Sequence, residues 1–230
     1  MECISDRAYA NREDLARDIV RVLREELAEL LAEGVSLVQF DEPVLSEVVY
    51  GHARERRTFM CGALGEKLDT PAELAFAERL LAELTAGFPR ERLAMHVCRG
   101  NWSPDESVAL HGDYEPLLPL LARAPVGTLF LELCTPRAGD ARLLAELPRD
   151  KRIGIGVVNQ KRVEVESADE ICARIAPLVE LLGPERVLLN PDCGFATFAD
   201  NPLASAAIAQ RKLAAISDAA RALRARFFGA

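Results

Sequence analysis

Five short apolar runs alternate with helix-forming stretches along this chain, and each run ends in polar residues. Asn11 opens the first helical stretch, with Asp14 three residues on. Leu15, Ile19, Leu23, Leu27 and Leu30 form one stripe, and Gly34 closes it. VSLVQF follows as a buried strand, stopped by Asp41-Glu42-Pro43. Thr70-Pro71-Ala72-Glu73 then reads as a helix start, with Thr70 as the cap, and that helix runs to about Gly87 before the strand LAMHVC. A helix over 113–123 precedes TLFLEL, and a short one near 140–147 precedes IGIGVV. Ser167-Ala168-Asp169-Glu170 caps a helix ending near Gly183, RVLLN is the fifth strand, and a last helix runs from about Ala204 to Phe227.

Such alternation implies a parallel sheet covered by helices. A doubly wound sheet and a (β/α)₈ barrel both satisfy it. The polar clusters favour the barrel, because they fall at the carboxyl edge of every strand: Asp41-Glu42, His96-Val97-Cys98, Glu132, Asn159 and Asn190-Pro191-Asp192-Cys193. Five strands against the barrel's eight make this a partial (β/α)₈ barrel of the α/β class. The strands are expected near 35–40, 93–98, 128–133, 153–158 and 186–190, as parallel neighbours in that order. No linker, repeat or shift in composition divides residues 1–230, so one domain is expected.

With 230 residues, half of them apolar, the chain can bury a large core. A net charge of −8 argues against nucleic acid or an anionic membrane as partner. The first residues carry no apolar run of signal-peptide type, and no stretch reaches the roughly 18 apolar residues of a spanning helix. A cytoplasmic location is therefore expected. Six cysteines in a chain of this length are thiols or metal ligands rather than a disulfide scaffold.

His96 and Cys98 stand two residues apart, which on a strand puts both side chains on one face. With Cys193 and Glu132 they offer nitrogen, sulfur and oxygen donors suited to zinc. Plainer roles exist for each. His96 alone could be an ordinary strand-end histidine, Glu132 a rim carboxylate paired with Arg137, and Asp41 a strand terminator. Cys3, Cys61, Cys134 and Cys172 read as small buried hydrophobes, with Cys134 worth following because it lies two residues after Glu132. His52 and His111 fall in loops. Trp102 lines a pocket mouth or packs a loop. Gly154-x-Gly156 lies inside a strand, so it is no dinucleotide loop. The basic residues from Arg211 to Arg226 are expected on the solvated face of the last helix.

VQFDEPVL, MHVCRGN, TLFLELCTPRAG, IGIGVVNQK and VLLNPDCGF resemble, in order and spacing, motifs of the catalytic domain of cobalamin-independent methionine synthases and their relatives. The likeness spans about residues 10–225. It implies a zinc ion at the carboxyl face of a barrel, bound by His96, Cys98, Glu132 and Cys193. It also places Asp41, with Glu42 in the same motif, where the family contacts the substrate's amino group. The implied reaction is methyl or alkyl transfer to a small thiol, homocysteine in the synthases, with a methylated folate as donor. Coordination to zinc removes the thiol proton and makes the nucleophile. Two departures accompany the resemblance. The family's barrel starts earlier, so this chain corresponds to strands four to eight. Its seventh-strand aspartate and histidine are replaced by Asn159 and Lys161, and Arg99-Gly100-Asn101 differs too. The alternatives are a relative using another thiol such as coenzyme M, and a non-catalytic zinc-binding partial barrel. Either could need a second copy or a partner chain to complete it.

Overall fold

The computed structural model of the protein describes residues 8–42, 44–51, 69–101, 103–198 and 201–229. Cys3, Cys61, His52 and Trp102 lie outside the described residues. The first helix, α1 (Arg12–Ala32), starts where Asn11 accepts the Asp14 N–H, as the sequence predicts. It leads into β1 (Val38–Glu42). Two helices follow, α2 (Val44–Tyr50) and α3 (Thr70–Thr85). The cap of α3 is Asp69 rather than Thr70: Asp69 accepts the Ala72 N–H at 2.9 Å. Glu73 is engaged instead with Arg12 of α1, at 2.6 Å.

The next elements are β2 (Leu93–Val97), α4 (Leu118–Arg123), β3 (Thr128–Leu131) and β4 (Arg152–Val158). The stretch expected as one helix over 113–123 opens as a tight 3₁₀ turn at Glu115–Leu117, and the one near 140–147 is 3₁₀ throughout, Ala141–Glu146. After these come α5 (Ala168–Leu182), capped by a full Ser167/Glu170 box, and β5 (Val187–Pro191). A small hairpin of β6 (Ala196–Phe198) and β7 (Asn201–Pro202) precedes α6 (Ala206–Phe228), whose cap is Ser205. One basic residue of α6 departs from expectation. Lys212 is fully buried and its ammonium meets Glu166 Oε2 at 2.6 Å.

The five main strands form one parallel sheet in the order β1-β2-β3-β4-β5. This is the partial barrel that the alternation implies. Register pairs Asp41 with His96, His96 with Phe130, and Phe130 with Gly154. Strand alternation then places these four residues on one face. The intervening residues Met95, Leu129, Leu131, Ile153 and Ile155 join a core with Leu121, Ile171, Ile175, Val179 and Ile216 from the covering helices.

The amino end of the sheet is stitched by two buried cations. Lys151 donates to the carbonyls of Ala124 and Val126, at 2.6 and 2.9 Å. Arg186 donates to those of Lys151, Leu182 and Pro148, at 3.0, 3.2 and 2.9 Å. Among the described residues, the outer edges of β1 and β5 have no sheet neighbour. Beside β1 lies a cleft of about 550 Å³, walled by Leu15, Ile19 and Leu23 of α1 and by Phe76 and Leu80 of α3. No helix among the described residues is long and apolar enough to cross a membrane.

Candidate metal centre

At the carboxyl edge of the sheet, donor atoms of His96, Cys98, Glu132 and Cys193 all lie within 4.8 Å of one another. They come from the ends of β2, β3 and β5, so residues far apart in sequence meet because their strands stop at one level. The two sulfurs are 3.7 Å apart. That is too far for a disulfide bond of about 2.05 Å. It matches the separation, about 3.8 Å, of two thiolates each bound at about 2.3 Å to a tetrahedral centre.

His96 is oriented by its other nitrogen. Its Nδ1 lies 3.2 Å from the Phe130 carbonyl, which places a proton there, so that in the neutral ring Nε2 is the acceptor. Nε2 is buried with no hydrogen-bond partner. A buried, unsatisfied nitrogen beside two sulfurs and a carboxylate is the signature of a cation site. The donor set therefore fits zinc.

Glu132 is 1 % exposed and braced from several sides. Its Oε1 accepts the Arg99 N–H at 2.8 Å, and its Oε2 accepts from Arg137 at 3.0 Å, so the pairing with Arg137 weighed as the plainer role exists alongside the place beside the sulfurs. The buried Tyr114 hydroxyl accepts the Glu132 N–H at 3.0 Å and donates to its carbonyl at 3.2 Å. The Arg99-Gly100-Asn101 segment also supports the cysteines. Gly100 N–H points at Cys98 Sγ, and the Asn101 amide donates to the Gly194 carbonyl at 2.7 Å, tying the loop after β2 to that after β5.

Electrostatics record the crowding of anions. The Cys98 thiol is pushed down to about 4, first by the hydrogen bond from Cys193 and then by His96, against burial. Cys193, as the donor in that bond and buried, is pushed up. Burial and the charges of Cys98 and Asp192 push Glu132 up to about 8. For His96, burial opposes protonation, but Cys98, Glu132 and Asp41 outweigh it and raise the pKa. A divalent cation would relieve all of these strains at once.

Asp41 lies on the His96 face and accepts from Gln39 at 2.8 Å. The structure does not bring Glu42 to that face. Its carboxylate turns to accept the Val44 N–H at 3.1 Å. Cys134 also turns aside: its thiol donates to Glu166 Oε1 at 3.9 Å, and burial pushes it up to about 12. Cys172 donates to the Ala219 carbonyl. Asn159 donates to Glu106 at 3.0 Å, and Lys161 to the Ser103 carbonyl at 2.7 Å. Sequence reasoning did not single out Asp192 or Tyr114. For Asp192 a signal was available: a glycine inside a strand marks a close approach, and Gly156 is where Asp192 crosses.

The chain matches the family described as cobalamin-independent synthase, catalytic domain, over residues 4–221. It is 26 % identical over 216 residues to the methionine synthase of Saccharolobus solfataricus, a stretch covering 94 % of this chain and 53 % of the relative. It is 27 % identical over 186 residues to that of Thermococcus kodakarensis, covering 81 % and 45 %. The chain thus spans about half the length of the curated relatives it matches. In fold it is similar to a B12-independent methionine synthase from Shewanella sp. W3-18-1, with a TM-score of 0.73 at 22 % identity, covering 98 % of this chain and 59 % of that one. A family pattern met along nearly all of its length leaves one assignment: the chain belongs to the cobalamin-independent synthase family, within its catalytic domain.

Proposed function

We propose that this domain, spanning residues 1–230, binds zinc through His96, Cys98, Glu132 and Cys193 and serves methyl transfer to a small thiol of the homocysteine type. The observation that carries this reading is the unpartnered His96 Nε2 set among two sulfurs and a carboxylate. The family supports it, since the relatives above are methionine synthases. When bound, zinc supplies the positive charge that keeps an acceptor sulfur deprotonated near neutral pH.

The chain's own residues do the rest. Asp41, on the His96 face and oriented by Gln39, receives the acceptor's ammonium group. Glu42 supports it from the other face by fixing the turn into α2. Phe130 closes the floor, lying against Gly154, where a Cβ would come within 2.1 Å of its ring. At the positions of the family's aspartate and histidine, Asn159 donates to Glu106 and Lys161 to the Ser103 carbonyl, so a lysine ammonium stands where the synthases carry an imidazole. A second reading is favoured by the edges of β1 and β5, which are open among the described residues: the chain works with a second copy or a partner chain that completes the barrel.

Metal analysis of chelator-stripped, refolded protein tests the first reading. About one zinc per chain is expected, with loss of binding in Cys193→Ser. No stoichiometric zinc, or unchanged zinc in that variant, sinks it.

A further inference from the structure

Asp192 is 1 % exposed and stands directly before Cys193. Its Oδ1 accepts two backbone N–H groups, from Leu133 at 2.9 Å and Cys134 at 2.8 Å, immediately after Glu132. In the sheet β4 separates β3 from β5, so this carboxylate reaches across a whole strand. It crosses at Gly156, where a Cβ would stand 1.9 Å from Asp192 Oδ1 and 2.9 Å from its Cα. The Asp192 N–H meanwhile donates to the Val158 carbonyl of β4 at 3.0 Å. Arg137 reaches both carboxylates, 3.0 Å from Glu132 Oε2 and 3.9 Å from Asp192 Oδ2.

We propose that Asp192 is a positioning residue: a strap over β4 that sets the spacing of Glu132 and Cys193 before an ion arrives, with Gly156 kept side-chain-free to let it pass. This rests on the zinc reading. Two charge-assisted bonds from one oxygen fix the loop after β3 to the residue next to Cys193. Donors fixed in advance need less ordering when the ion binds, and outer contacts of this kind tune metal affinity. The acceptor oxygen is what matters, so an asparagine retains the strap and an alanine does not.

The experiment uses the full chain with zinc titrated against a chromophoric chelator, the visible band of the cobalt(II)-loaded protein, and amide exchange at Leu133 and Cys134 without metal. Asp192→Ala should lose about 10–100-fold in zinc affinity, weaken the cobalt band and speed exchange of both amides. Asp192→Asn should stay near wild type in all three, and Gly156→Ala should behave like Asp192→Ala. Wild-type values in Asp192→Ala, or equal losses in the alanine and asparagine variants, overturn the strap. If Asp192→Ala fails to fold, the other two decide: loss in Asp192→Asn or retention in Gly156→Ala overturns it. A wild-type chain that binds no zinc sinks the zinc reading instead, and amide protection in the metal-free chain still tests the strap.

Discussion

Cys98, Glu132 and Asp192 compete for charge in one buried space, and Arg137 is the cation touching both carboxylates. Protons therefore stay on this cluster at pH values where exposed carboxylates have lost theirs, as the rise of Glu132 to about 8 records. On the proposed zinc reading, the ion displaces them. Binding near pH 7 should release protons from Cys193 and Glu132, about two per ion, together with any held by His96. Calorimetry in two buffers of different ionisation enthalpy measures this, and Cys193→Ser should release fewer. A release near zero would mean the site is already fully ionised. At the opposite end of β4, Lys151 is 1 % exposed, and burial, aided by the charge of Arg90, brings it down from 10.5 to about 8. Between those values the unfolded chain holds the proton more tightly than the folded one. Stability should therefore rise with pH across that window, by at most about 1.4 kcal/mol per unit. Urea unfolding at about pH 7.5 and about pH 10 checks the rise, which Lys151→Met should lack.

Each strand has a supporting end and a working end. At the amino end Arg186 satisfies four carbonyls, those of Leu147, Pro148, Lys151 and Leu182. Arg186→Ala should cost about 3 kcal/mol in chemical denaturation, because buried acceptors lose their donor, yet leave zinc stoichiometry unchanged. A loss of zinc in a folded variant would contradict that division of labour. The strands were legible in sequence because each is an unbroken apolar run between turn residues. Their order followed from the alternation with helices. Other elements were not legible, for physical reasons. The run VLSEVVY is rich in β-branched residues, and burial of Leu45 and Val48 rather than propensity makes it α2. The hairpin of β6 and β7 is too short to show a period. Asp69 and Thr70 are both good caps, and only the Arg12–Glu73 pair shows how Glu73 is used. His96, Cys98, Glu132 and Cys193 were legible as donors by chemistry and by resemblance to a family. Their support was harder to read: Tyr114 acts on backbone groups of Glu132, which leaves no pattern along the chain, and the sign of Asp192 is indirect, a glycine at Gly156 in the strand it crosses.

Among the described residues the sheet is open on both sides, and the apolar cleft beside β1 is matched by a groove at β5 lined by Val187, Leu189 and Phe227. Unpaired edges beside apolar surface drive association. The isolated chain should show a concentration-dependent mass in light scattering, and Leu23→Glu in the cleft should reduce it without changing zinc binding. A monomer at all concentrations would argue against a second copy as the missing wall. Positioning can supply roughly 7–11 kcal/mol of a transfer barrier. An open sheet forgoes much of it, so folate-dependent methionine formation by the chain alone should be very slow. Robust turnover would overturn that expectation. The buried Lys212 has a consequence of another kind. It ties α6 to Glu164 and Glu166, and Glu166 in turn accepts the N–H of Asn159 and the thiol proton of Cys134. Roughly 110 residues separate Cys98 from Lys212, so at about 5–20 residues per second a ribosome needs about 6–20 s to pass from one to the other. For most of that interval Cys98 has been made without its partner sulfur, and for all of it without the buried lysine that ties α6 to the loops around them. If the site takes zinc as proposed, loading is a late event in the life of each molecule, and the nascent chain is the stage at which oxidants and competing metals should have their easiest access.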